Sequence, residues 1–173
     1  MKIIISNKCR QHMEVHKKDF VFNWEELIRK CEADGKFDNL YKSFEIITIE
    51  FSFIVGHCSL IQTKPNDDIV YAKRNGREIY TRFIRNAKAE PTSSIVFILN
   101  RSKSSIDEYY LITMFPGEQN FKEPEDINIS SKEELLDCLN FWKDYALIYD
   151  ESIVDVNSIK RYCPYKNLYI AVA

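Results

Sequence analysis

Ile47-Thr48-Ile49-Glu50-Phe51-Ser52-Phe53-Ile54-Val55 carries an apolar side chain at every second position, with Thr48, Glu50 and Ser52 between them. A period of two predicts a strand over 47–55 with one buried face. The run delivers Gly56-His57, which places a histidine at a sheet rim. Outward from it, 69–72 and 80–85 read as a pair of strands. Between them lies Arg74-Asn75-Gly76-Arg77, where Asn-Gly accepts the positive φ of a tight turn. Residues 94–99 and 109–115 form a second pair around a loop rich in Ser, ending at Asp107. Upstream, Asn23 is a capping residue for a helix over 24–31, acidic at its start and basic later, with Gly35 as its stop. Downstream, a last helix opens at Ser130 or Ser131, with Glu134 at capping-box spacing and Leu135, Leu136, Leu139 and Trp142 along one side. Residues 167–172 read as a closing strand. The expected fold class is α+β: a mainly antiparallel sheet flanked by N-terminal and C-terminal helices, in one domain spanning 1–173.

The chain has 173 residues, 45% of them hydrophobic and 29% charged, which is enough apolar material for a real core. Its net charge of −2 hides a segregation. Residues 57–103 hold nine Lys/Arg against four Asp/Glu, whereas 104–155 hold three against thirteen. Such blocks either make one face for an anion and another that repels it, or attract each other within the fold. Five cysteines at irregular spacing, with no CxxC pair, argue against structural zinc and for free thiols in a reducing cytoplasm. No run approaches the ~18 apolar residues of a membrane span, so no membrane partner is expected. No Gly-rich phosphate loop, dinucleotide fingerprint or GxSxG elbow occurs, which removes the common nucleotide-binding and serine-hydrolase classes.

The candidate chemistry gathers between Gly56 and Gly117. His57 has the side chain whose ordinary pKa suits acid–base work near neutrality. Lys73, Arg77 and Arg82 supply the positive charge that a phosphate and its pentavalent transition state require. Thr113 is a hydroxyl in an otherwise apolar strand and needs a partner, either a backbone carbonyl or a ligand phosphate. Alternation puts it on one face with Leu111 and Phe115. Tyr71, beside the basic positions, can stack a base. His12 and His16, four apart, share a helix face and would suit a metal. No Glu follows His12 in the metalloprotease pattern, however, and Lys17 and Lys18 make the spot cationic. No metal and no cofactor are expected.

The order of a helix, a strand-end His57, basic strands and a late Tyr110-Leu111-Ile112-Thr113-Met114-Phe115-Pro116 strand resembles the small metal-independent ribonuclease toxins. That superfamily spans barnase, RelE-type toxins, and the colicin and contact-dependent-inhibition nuclease domains. The likeness covers about residues 50–117. It implies a small α+β domain that cleaves RNA through its 2′-hydroxyl, using His, Lys/Arg and Ser/Thr/Tyr side chains. On that likeness His57 is the general acid or base, Arg82 stabilises the phosphorane with Lys73 or Arg77, and Thr113 orients the scissile phosphate. RNA is the implied partner, together with an antitoxin or immunity protein. Such domains are usually basic, and this one is not. The competing reading is a non-catalytic interaction protein (an immunity protein, antitoxin or phage modulator) that binds a basic partner through its acidic C-terminal third.

Overall fold

The computed structural model describes residues 1–172. In chain order the elements are β1 (Lys2–Ile4), α1 (Asn7–His16), α2 (Trp24–Ala33), β2 (Phe44–Glu50), β3 (Gly56–Cys58), β4 (Leu60–Gln62), β5 (Ile69–Lys73), β6 (Tyr80–Ile84), β7 (Glu90–Thr92), β8 (Ser94–Arg101), β9 (Glu108–Pro116), α3 (Lys132–Asp144), β10 (Tyr145–Ile148) and α4 (Lys166–Val172). Mixed and antiparallel sheets with flanking helices make this an α+β fold. By contacts the chain divides into two compact units: Met1–Cys58 with Glu90–Gln119, and Ser59–Ala89 with Asn120–Ala173.

The first unit is built on a four-stranded sheet in the order β1-β9-β8-β2. The β2–β8 and β8–β9 pairs are antiparallel, and β1 runs parallel to β9. One face of the sheet buries Ile3, Ile49, Ile95, Phe97, Leu99, Tyr109, Leu111 and Met114 against Met13 of α1 and Trp24, Leu27, Ile28 and Cys31 of α2. Those four positions of α2 follow the three-and-four spacing of one helix face. The Asn23 side chain accepts the Glu25 amide at the start of α2, and Gly35 leaves its end at φ +66°. Strand β2 ends at Glu50 rather than Val55, because its partner β8 begins opposite it at Ser94. Phe51, Phe53 and Val55 nevertheless pack on the same core, and the Phe51 and Val55 amides still donate to the Ser93 and Thr92 carbonyls, so the alternation reported burial beyond the last regular ladder pair.

A bulge in β9 overturns the expected grouping of Leu111, Thr113 and Phe115. Ile98 pairs with Thr113 and Leu99 with Leu111, leaving Ile112 as the extra residue. Past it the phase reverses, and Met114 rather than Thr113 enters the core. A two-stranded ladder of β3 and β7 sets His57 opposite Pro91. Gly56 is wedged between the Asp19 carbonyl and the Pro116 ring, where an added Cβ would lie inside contact distance of both. Gly56→Ala is therefore expected to cost about 1–3 kcal/mol through overpacking, read as a lower urea midpoint with an unchanged slope.

The second unit carries a sheet in the order β4-β10-β6-β5. Strands β5 and β6 form the expected hairpin, in register from Ile69↔Ile84 to Lys73↔Tyr80, with Gly76 at φ +77° in its turn. Strand β10 follows α3 directly and inserts between the others, parallel to β6 and antiparallel to β4. Val70, Ala72 and Phe83 meet Trp142, Leu147 and Val154 in the core. At the start of α3 the Ser131 hydroxyl accepts the Glu134 amide, while the Glu134 carboxylate reaches back to Ser130, one residue earlier than a capping box places it. Residues 167–172, read as a closing strand, lie instead in helix α4, whose Tyr169 hydroxyl donates to the Leu139 carbonyl of α3 at 3.2 Å. The five-residue apolar run 168–172 fits either period, and docking on α3 decides it. Among the described residues no helix is long and apolar enough to cross a membrane.

Candidate anion-binding site

Alternation along β5 and β6 sends Val70, Ala72, Thr81 and Phe83 inward. Tyr71, Lys73, Tyr80 and Arg82 take the opposite face, with Tyr71 directly across from Arg82. The Arg82 guanidinium is fixed rather than free. Its Nη1 donates to Thr63 Oγ1 and to the Tyr145 carbonyl, both at 2.9 Å. Its Nε is buried with no protein partner.

Arg82 opens into a pocket of about 540 Å³. Tyr71 lines it from the sheet, Asn140 and Lys143 from α3, Cys163 from the loop before α4, and Lys166 and Tyr169 from α4 itself. No carboxylate lines this pocket. Arg82, Lys143 and Lys166 take part in no salt bridge among the described residues. Burial, together with the neighbouring Cys163 thiol, pushes the Tyr71 phenol up to about 12, with Arg82 pulling the other way. Burial raises Tyr169 as well. Both phenols therefore stay protonated near neutrality; the Tyr71 hydroxyl can donate to an anion, while the Tyr169 hydroxyl is already given to the Leu139 carbonyl. The larger groove bordered by Glu125, Asp126 and Lys132 gathers no comparable set of cations.

The sequence-derived candidates part company here. Tyr71 and Arg82 are brought together. Lys73 shares their face, but its ammonium donates to Glu78 at 2.8 Å. Arg77 turns to Glu123 at 3.2 Å, beside Arg74, which bonds the same carboxylate. The two charge blocks therefore do attract each other at this point. His57 and Thr113 belong to the first unit. The His57 ring is exposed on β3. The Thr113 hydroxyl lies 3.0 Å from His12 Nε2 and 3.9 Å from Met13 Sδ. Partial burial, and then His16, lower the His12 pKa. The His12 and His16 rings meet edge-on at 5.0 Å, and His16 faces Asp19 at 3.6 Å. Among the described residues no three His, Cys, Asp or Glu side chains are grouped to hold a metal ion.

No family model, curated protein or solved structure matches the chain. No role is assigned to Lys143 on α3 from the sequence, and the closing strand read over 167–172 hides the helical spacing that brings Tyr169 beside Lys166. Read as a helix, that segment sets Lys166 and Tyr169 three apart on one face, which was the available signal.

Proposed function

We propose that this protein binds RNA by seating a backbone phosphate in the Arg82 pocket, and that the bound strand is cleaved there without a metal. The observation that carries the reading is the convergence of Arg82, Lys143 and Lys166, none of them in a salt bridge, on a pocket without a carboxylate. A tethered guanidinium offers its remaining N–H groups to phosphate oxygens in a fixed orientation, and the two ammonium groups add charge without demanding geometry. The same three cations oppose the negative charge that builds when a 2′-oxygen, its proton passing to solvent water, attacks phosphorus, and the protonated Tyr71 can donate to the 5′-oxygen as the P–O5′ bond breaks. Arg, Lys and Tyr are also side chains that the resemblance to the ribonuclease toxins implies.

The acidic third supports the competing reading less. Glu123 is held by Arg74, Arg77 and Thr81, and Glu134 by Lys122 and Ser130. The test is fluorescence anisotropy with labelled single-stranded RNA across a salt series, and incubation of total RNA with and without EDTA. Affinity is expected to fall as salt rises, with a log–log slope of about −0.7 per phosphate neutralised, and cleavage is expected to be indifferent to EDTA. Binding without cleavage removes the enzymatic half of the proposal. Affinity that ignores salt removes both halves.

A further inference from the structure

Beyond the pocket, the same sheet face continues. Two residues along from Tyr71 and Arg82, the next rung of the hairpin pairs Lys73 with Tyr80. The chain near Lys160 runs along the outer edge of β5. Lys160 donates its amide to the Tyr71 carbonyl at 2.7 Å and accepts the Tyr71 amide at 2.8 Å. A residue directly opposite Tyr71 in an antiparallel bridge points to the same side of the sheet. Accordingly the Lys160 ammonium lies 4.2 Å from the centre of the Tyr80 ring and 5.6 Å from that of Tyr162. Tyr162 is 60% exposed, an aromatic ring largely open to solvent beside a cation. Lys73 already serves Glu78, and Arg161 serves Asp68, so Lys160, whose ammonium leans from its position opposite Tyr71 over the Tyr80 ring, is the cation offered beside this rung. Glu125 stands near Lys160, but one of its oxygens accepts the Tyr80 amide at 3.0 Å.

Same-face rungs of a strand are about 6.6–6.8 Å apart, on the scale that separates successive phosphates of an extended nucleic acid strand. An exposed ring can take only a base that has left its stack, which a duplex does not present. Resting on the RNA reading above, we propose that Lys160 and Tyr162 form a second subsite, so that the ligand is single-stranded RNA of at least two nucleotides. One phosphate sits in the Arg82 pocket, the next meets Lys160, and the base between them stacks on Tyr162.

The experiment compares the full chain with Lys160→Ala and Tyr162→Ala, using a labelled single-stranded RNA tetranucleotide, its duplex and a mononucleotide monophosphate. Both side chains are at the surface, and circular dichroism checks that each variant keeps its fold. The tetranucleotide is expected to bind Tyr162→Ala about ten-fold more weakly, the scale of one lost base–aromatic stack, and Lys160→Ala about ten-fold more weakly through one lost charge-assisted phosphate contact. Mononucleotide affinity should move by less than about two-fold, because the Arg82 pocket alone serves it. Tetranucleotide affinity equal in parent and variants, or a duplex bound as well as the single strand, overturns the second subsite while leaving the pocket. No tetranucleotide binding by the parent chain overturns the RNA reading itself.

Discussion

On the proposed RNA binding, replacing Arg82 by alanine is expected to lower RNA affinity by about ten- to a hundred-fold, the equivalent of one charge-assisted hydrogen-bonded contact worth ~1.5–3 kcal/mol. The effect is large because the guanidinium is held in place. Thr63 and the Tyr145 carbonyl fix Nη1, so a phosphate meets an oriented fork and does not have to order a flexible side chain. Arg82→Lys keeps the charge but cannot hold both tethers and present a second N–H edge, and it should recover only part of the loss. The tethers join β6 to β10 at Tyr145 and to Thr63 just past β4, so alanine should also cost about 1 kcal/mol of stability from the lost hydrogen bonds. Lys143→Ala and Lys166→Ala separate the two effects. Neither lysine makes a salt bridge among the described residues, so each should weaken binding with little change in melting temperature. Parent-like RNA affinity in Arg82→Ala, measured by anisotropy at low salt, would end the assignment of the pocket.

Glu123→Ala should be the most destabilising single charge removal in the second unit, at about 2–4 kcal/mol. Glu123 is 5% exposed, and its Oε1 is bonded by Arg74, by Arg77 at 3.2 Å and by the buried Thr81 hydroxyl at 2.9 Å. Breaking such a buried arrangement from one side typically costs ~3–5 kcal/mol, because the partners keep their desolvation penalty. Both arginine side chains keep some exposure, at 29% and 41%, so water returns part of that cost and the expectation is set lower. Urea denaturation followed by circular dichroism measures it. A variant as stable as its parent would mean that the Arg74–Glu123–Arg77 group contributes nothing net.

Local chemistry carried most of what was legible in the sequence. The Asn23 cap, the Ser131 cap, the Asn75-Gly76 turn and the strands of β5, β6, β8 and β9 were each written within a few neighbouring residues. What escaped is either short and paired at long range, or set by packing. Strand β1 has three residues and finds β9 more than a hundred positions away. Strand β10 has four, inside the acidic block. The Ile112 bulge reversed the faces of β9, and nothing in Tyr110–Phe115 announces it. The same distinction sorts the site. Tyr71 and Arg82 were legible together because a hairpin puts them opposite each other. The partners of Arg77 and Thr113 stand 46 and 101 positions away, in Glu123 and His12, and no linear pattern displays them.

The insertion of β10 between β4 and β6 sets a timetable for the growing chain. Phe83 and Ile84 leave the ribosome about 60 residues before Leu147 and Ile148, the strand that will pair with them. At ordinary synthesis rates of ~5–20 residues per second, that is a wait of roughly 3–12 s. Throughout it the β5–β6 hairpin presents an unpaired edge and the uncovered apolar side chains of Val70 and Phe83. A nascent chain stalled between residues 90 and 140 is therefore the form of this protein most exposed to misassembly and to capture by chaperones. Slowing translation across that interval should lower the soluble yield more than slowing it after residue 150.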